Sequence, residues 1–167
     1  MIPDEDFLRK HYDGDDLGVL MACKVLAVAM PPKEATIAIR KTLREHFNTE
    51  RSYIENTHLI TTKDQGVVPL RFNKAQDGLY EVILWQRKEH LPIRIIITKA
   101  RQMGMSTWIQ SWQYEQLDRT PYRKALTINF DDENSAELFQ KAKMIHDANF
   151  CPRPTVRDSS HIIHFAN

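Results

Sequence analysis

An α/β fold is what the sequence predicts: three layers around a parallel sheet, incomplete, with a helical extension at the N-terminus. Three observations point to it. Residues 93–98 form an apolar run interrupted only by Arg94, the pattern of a parallel strand covered on both faces. Strand-like and helix-like segments alternate from residue 58 onward, as they do where strands are joined by crossover helices. The first 50 residues carry helical periodicity and no strand pattern.

Residues 4–12 and 16–30 read as helices, with Asp4 and Asp15 or Asp16 as caps. Pro31-Pro32 breaks the chain, and in 33–47 the apolar residues Ala35, Ile39, Leu43 and Phe47 recur every fourth position as one helical stripe. The pattern changes near Tyr53. Residues 58–62 are β-like, 63–66 a turn, and 67–70 a short extended piece. A helix is expected over 74–88, with Leu79, Tyr80, Ile83, Leu84 and Arg87 on one side. Pro92 ends that connection, and the 93–98 run follows. Then come a glycine-containing loop (99–104), a helix (106–117), a turn at 119–121, a strand (124–130) and a helix (133–147) turning Leu138, Phe139, Ala142 and Ile145 inward. A bend at 151–154 precedes a last strand at 161–165. Two domains are expected: the extension 1–50, and 51–167.

Composition narrows the function classes. The 23 Lys and Arg against 22 Asp and Glu leave a formal net charge of +1, without the basic excess of an autonomous DNA-binding module. Cys23 and Cys151 have no metal-ligand spacing and suit a reduced, cytosolic protein. The acidic N-terminus does not resemble a signal peptide. The apolar stretch 17–30 contains Lys24 and is too short to cross a bilayer, so no membrane partner is expected.

The chemistry is expected in Ile95-Ile-Ile-Thr-Lys-Ala-Arg-Gln-Met-Gly-Met-Ser-Thr107. Strand, tight loop and helix start is the setting in which backbone N–H groups and a helix N-terminus cradle phosphates while a hydroxyl ligates Mg²⁺. Against G-x-x-x-x-G-K-[ST], Gly104 and Ser106 fit, whereas Lys99 replaces the first glycine and Met105 the lysine. Lys-Ala-Arg-Gln-x-Gly-x-Ser-Thr nevertheless resembles the deviant Walker A of phage terminase large subunits, in which the lysine sits at the start of the loop. Upstream, 61–76 resembles that family's lead-in, ending in an Asn-x-Ala-Gln helix start. Downstream, 125–139 and 161–167 resemble its later strands and helix.

The resemblance covers roughly residue 54 to the end. It implies a P-loop NTPase-type sheet and the ATP-binding part of a motor that couples ATP hydrolysis to DNA translocation into a capsid. The nucleotide-binding set is then Gln76, Lys99, Ala100, Arg101, Gln102, Met103, Gly104, Met105, Ser106 and Thr107. Lys99 reaches the β/γ-phosphates on its flexible stem, Arg101 is the in-cis arginine at the γ-phosphate, and Ser106 ligates Mg²⁺. Gln76 reads adenine, its amide matching a donor/acceptor edge. The implied cofactors are ATP and Mg²⁺. The implied partners are double-stranded DNA, a portal and a small terminase subunit, with a homo-oligomeric ring in the host cytoplasm.

Other features have plainer readings. Asp131, Asp132 and Glu133 suggest a Walker B, but their strand directly follows the phosphate-loop helix and Asn129 interrupts it. Strand end plus helix cap is the expected role. The Walker B carboxylates are then expected beyond residue 167, as is the nuclease domain, and hydrolysis by this chain alone is not expected. His161 and His164 fall on opposite faces of a strand, Asp13-Gly-Asp-Asp16 is a turn and cap, and Trp108 and Trp112 belong to a core or interface. Arg119, Arg123 and Lys124 form a small basic cluster read as a solvated turn that could touch DNA. The alternative functions are a helicase-like P-loop ATPase and a non-catalytic remnant serving as an interaction module.

Overall fold

The computed structural model describes residues 2–62, 64–98, 103–128, 131–159 and 162–165. Among these, seven helices and four short strands follow in the order α1 (Glu5–His11), α2 (Gly14–Ala29), α3 (Pro32–His46), α4 (Glu50–Thr57), β1 (Leu59–Thr62), β2 (Gly66–Pro69), α5 (Lys74–Lys88), α6 (Met105–Arg119), α7 (Asp132–Ala148), β3 (Thr155–Asp158) and β4 (Ile163–Phe165). No helix among the described residues is long and apolar enough to cross a membrane.

The lead-in is helical, as its periodicity predicts. Asp4 caps α1 by accepting from the Phe7 amide at 2.8 Å, and Met30 and Pro31 separate α2 from α3, which Pro32 opens. The α3 stripe of Ala35, Ile39, Leu43 and Phe47 is buried. It joins Leu8, Leu20, Cys23 and Tyr53 in one core, which Phe150 closes from the end of α7. Helix α4 was not expected. Its signal is the Thr49 cap, which accepts from the Ser52 amide at 3.0 Å. Asp131 likewise caps α7 by accepting from the Asn134 amide at 2.7 Å.

Among the described residues there is no parallel P-loop sheet, and this corrects the predicted fold class. The strands that form are two antiparallel pairs, β1 with β2 and β3 with β4. Thr62 lies opposite Gly66 across a tight turn, a connection that only an antiparallel pair permits. Residues 93–98 pair with no strand among the described residues. Ile95 and Ile97 pack on the core of α5 and α6, but Ile96 is 97% exposed. The segment is thus covered on one face only. Residues 124–128 likewise form no ladder, and Leu126 and Ile128 stay exposed. An apolar run reports a tendency to leave water, not a hydrogen-bonding neighbour, so a parallel strand could not be told from a segment lying on a helical core.

A buried ionic cluster joins the lead-in to α6. Arg40 donates to both carboxylate oxygens of Asp118 at 3.0 Å. Arg44 donates to Glu115 at 2.7 Å and to Asp118 at 2.6 Å, and lies over the Tyr53 ring at 4.0 Å. The carboxylate side chains are at most 1% exposed. Burial raises the Glu115 carboxyl above its usual range, against the lowering by Arg44.

Candidate nucleotide site

The site is built where the start of α5 meets the start of α6. Asn73 caps α5, its Oδ1 accepting from the amides of Ala75 at 3.0 Å and Gln76 at 3.1 Å. Gln76 Oε1 accepts in return from the Asn73 amide at 2.9 Å, completing a capping box. Both side chains then reach the loop before α6. Gln76 Nε2 donates to the Gly104 carbonyl at 3.1 Å, and Asn73 Nδ2 donates to the Met103 carbonyl at 3.2 Å. Met103 and Gly104 are therefore held by two side-chain amides at the start of α5.

Gly104 is required at this contact. It caps α6 in the left-handed region with φ 68°, where a Cβ costs about 1–2 kcal/mol. A Cβ there would also lie 3.0 Å from Gln76 Nε2 and 3.8 Å from Asn73 Nδ2. Gly104→Ala should therefore lower folding stability by about 1–2 kcal/mol, measured by urea unfolding. An unchanged midpoint would show that the left-handed turn is not maintained in solution.

The start of α6 is electropositive. Gly104 supplies no side-chain cap and the first turn holds no acidic residue. The first amides of a helix have no intrahelical acceptor and carry the positive end of its dipole. Ser106 and Thr107 sit in this turn, half-buried. Met105 points into the α5–α6 core, 5% exposed, with Leu79, Tyr80, Ile83 and Trp108. Trp108 and Trp112 stack with centroids 6.4 Å apart.

Of the predicted binding set, Gln76, Met103, Gly104, Met105, Ser106 and Thr107 are thus brought together. Lys99, Ala100, Arg101 and Gln102 lie outside the described residues, as do Asn129, Phe130 and His161. Asn73 was missed as a site residue. Its signal was the capping spacing Asn-x-x-Gln.

The residues present fit a phosphate chain with Mg²⁺ in one respect: amides without a side-chain cap and two hydroxyls share one helix turn, without a carboxylate to repel an anion. The Gln76 amide has already spent one donor and one acceptor on Gly104 and Asn73. One of each is left. Comparison with protein-family models, curated proteins and solved structures finds no match to this chain.

Proposed function

We propose that this chain is the ATP-binding part of a viral DNA-packaging motor of the terminase large-subunit type. The observation that carries the reading is the Gln76–Gly104 hydrogen bond, which joins the Asn-x-Ala-Gln helix start to the Gly-x-Ser-Thr turn across 28 positions of sequence. Two stretches that resemble one family's adenine and phosphate elements meet in space.

In this reading the amides at the start of α6 hold the phosphates, with Lys99 and Arg101 supplying charge. Ser106 holds the Mg²⁺, which when bound neutralises charge on the phosphate oxygens. Gln76 has two tasks: it fixes the loop and offers its remaining amide donor and acceptor to adenine. The partners are double-stranded DNA, a portal and a small terminase subunit, with further copies of the chain in a ring in the host cytoplasm. A second reading, a non-catalytic interaction module, is favoured by one observation: Gln76 is 3% exposed and already bonded on both sides of its amide.

Titration with fluorescent ATP and GTP analogues and Mg²⁺ separates the two. The motor reading expects saturable ATP binding, lost in Lys99→Ala. Gln76→Ala should lose the preference for ATP over GTP as well as affinity, whereas a mere brace would weaken both nucleotides equally. A folded chain that binds neither nucleotide would leave only the interaction module.

A further inference from the structure

Away from the nucleotide loop, the opposite end of α6 carries an excess of positive charge around an open cavity of about 580 Å³, walled by Arg87, Trp112, Arg119 and Arg123 above Glu50. Glu50 is already claimed. It accepts from Arg87 at 3.0 and 3.2 Å, from Trp112 Nε1 at 3.1 Å and from the Gln116 amide. Arg87 and Arg123 then converge on the neutral Gln116 Oε1, at 3.3 and 3.0 Å. Two guanidiniums sharing one uncharged acceptor repel each other, and an anion between them relieves that repulsion.

Arg119 adds to the excess. Its Nε bonds to Glu115 at 3.0 Å, a carboxylate already paired with Arg44, and its two terminal nitrogens have no hydrogen-bond partner among the described residues. Lys124 follows on the same exposed turn, and residues 119–128 contain no carboxylate. Tyr122 stands among these cations, 84% exposed. It is held at φ 63°, a conformation a bulky residue adopts only at a cost. Its ring packs against no other ring among the described residues.

We infer that this turn binds single-stranded nucleic acid, with Arg119, Arg123 and Lys124 on successive phosphates and Tyr122 stacked on a base. Cations alone would suit any polyanion. The exposed ring between them selects a chain that offers unpaired bases. The site is independent of the nucleotide reading, since it lies at the far end of α6, about 20 Å from Gly104 at 1.5 Å per residue.

The test is fluorescence anisotropy of the whole chain with a labelled oligodeoxythymidine and a labelled duplex across a salt series. The single strand should bind more tightly, with a log–log salt slope of about −2 for three phosphate contacts. Tyr122→Asn tolerates the left-handed backbone and so keeps the fold; it should weaken binding about tenfold. Arg123→Gln should weaken binding and flatten the slope by about 0.7. Failure of the single strand to bind, or equal affinity for the duplex with no loss in Tyr122→Asn, overturns the inference.

Discussion

Asp118→Ala should cost about 3–5 kcal/mol of folding free energy, the amount lost when one partner of a buried ion pair is removed and the other is stranded. Asp118 accepts from Arg40 through both oxygens and from Arg44 through one. Its side chain is 1% exposed, and those of the two arginines are 18% and 22% exposed. Taking away the carboxylate leaves two guanidiniums near each other with Glu115 as the remaining carboxylate of the cluster, and Glu115 already serves Arg119 as well. A small domain is stable by only about 5–15 kcal/mol, so the variant should lose about a fifth or more of its margin. Urea unfolding of both proteins gives the comparison, with the midpoint falling and the slope unchanged if the native state stays compact. A loss below about 1 kcal/mol, as for a surface pair, would mean that α3 and α6 are not held together by this cluster. The pair also links the lead-in to the helix whose other end starts at Gly104. Loosening it should therefore weaken whatever binds at that turn.

The sequence shows this cluster poorly, for a definite reason. Arg40 and Arg44 each follow a stripe residue, Ile39 and Leu43, and four-residue spacing of arginines reads equally well as a solvated helix face. Their partners lie 71 to 78 positions away, beyond any local pattern. Helices, by contrast, were legible where an apolar stripe followed a start signal, the proline pair before α3 or the Asn73 capping box of α5. Even so, Leu84, expected on the inner side of α5, is 38% exposed. The site was half legible. Motif order named Gln76 and the Gly104 turn, but only the fold brings Asn73 onto the Met103 carbonyl. The sheet was misread because residues 93–98 and 124–128 have strand-like composition, while β pairing depends on which neighbour supplies the complementary backbone groups. The β1–β2 pair had such a neighbour within turn distance: its extended pieces were read from the sequence, its antiparallel pairing was not.

Acid should destabilise the fold through His58. Its ring is fully buried, bonded through Nδ1 to the Ser111 hydroxyl at 2.6 Å, and set edge-on to Tyr53 and Tyr114. Burial lowers its pKa from 6.5 to about 3, with Arg44 adding to the lowering and Asp118 opposing it. The folded pKa lies below the unfolded one, so between these values the unfolded chain binds a proton that the folded chain refuses. The neutral ring's contribution is complete above about pH 6.5 and is lost progressively as pH falls toward 3. Each pH unit below 6.5 removes about 1.4 kcal/mol, so the loss at pH 4.5 is about 2.7 kcal/mol. Glu115, whose carboxyl burial raises, takes up protons more readily when folded and offsets part of this slope. A variant separates the two. His58→Gln removes the titrating ring but keeps Glu115, and should be less stable than the parent at pH 7.5 because the ring's packing is lost. Its stability should then fall much less between pH 6.5 and 4.5. If urea midpoints of parent and variant fall in parallel over that range, His58 is protonated without penalty, and the ring is not shut away from water as its burial requires.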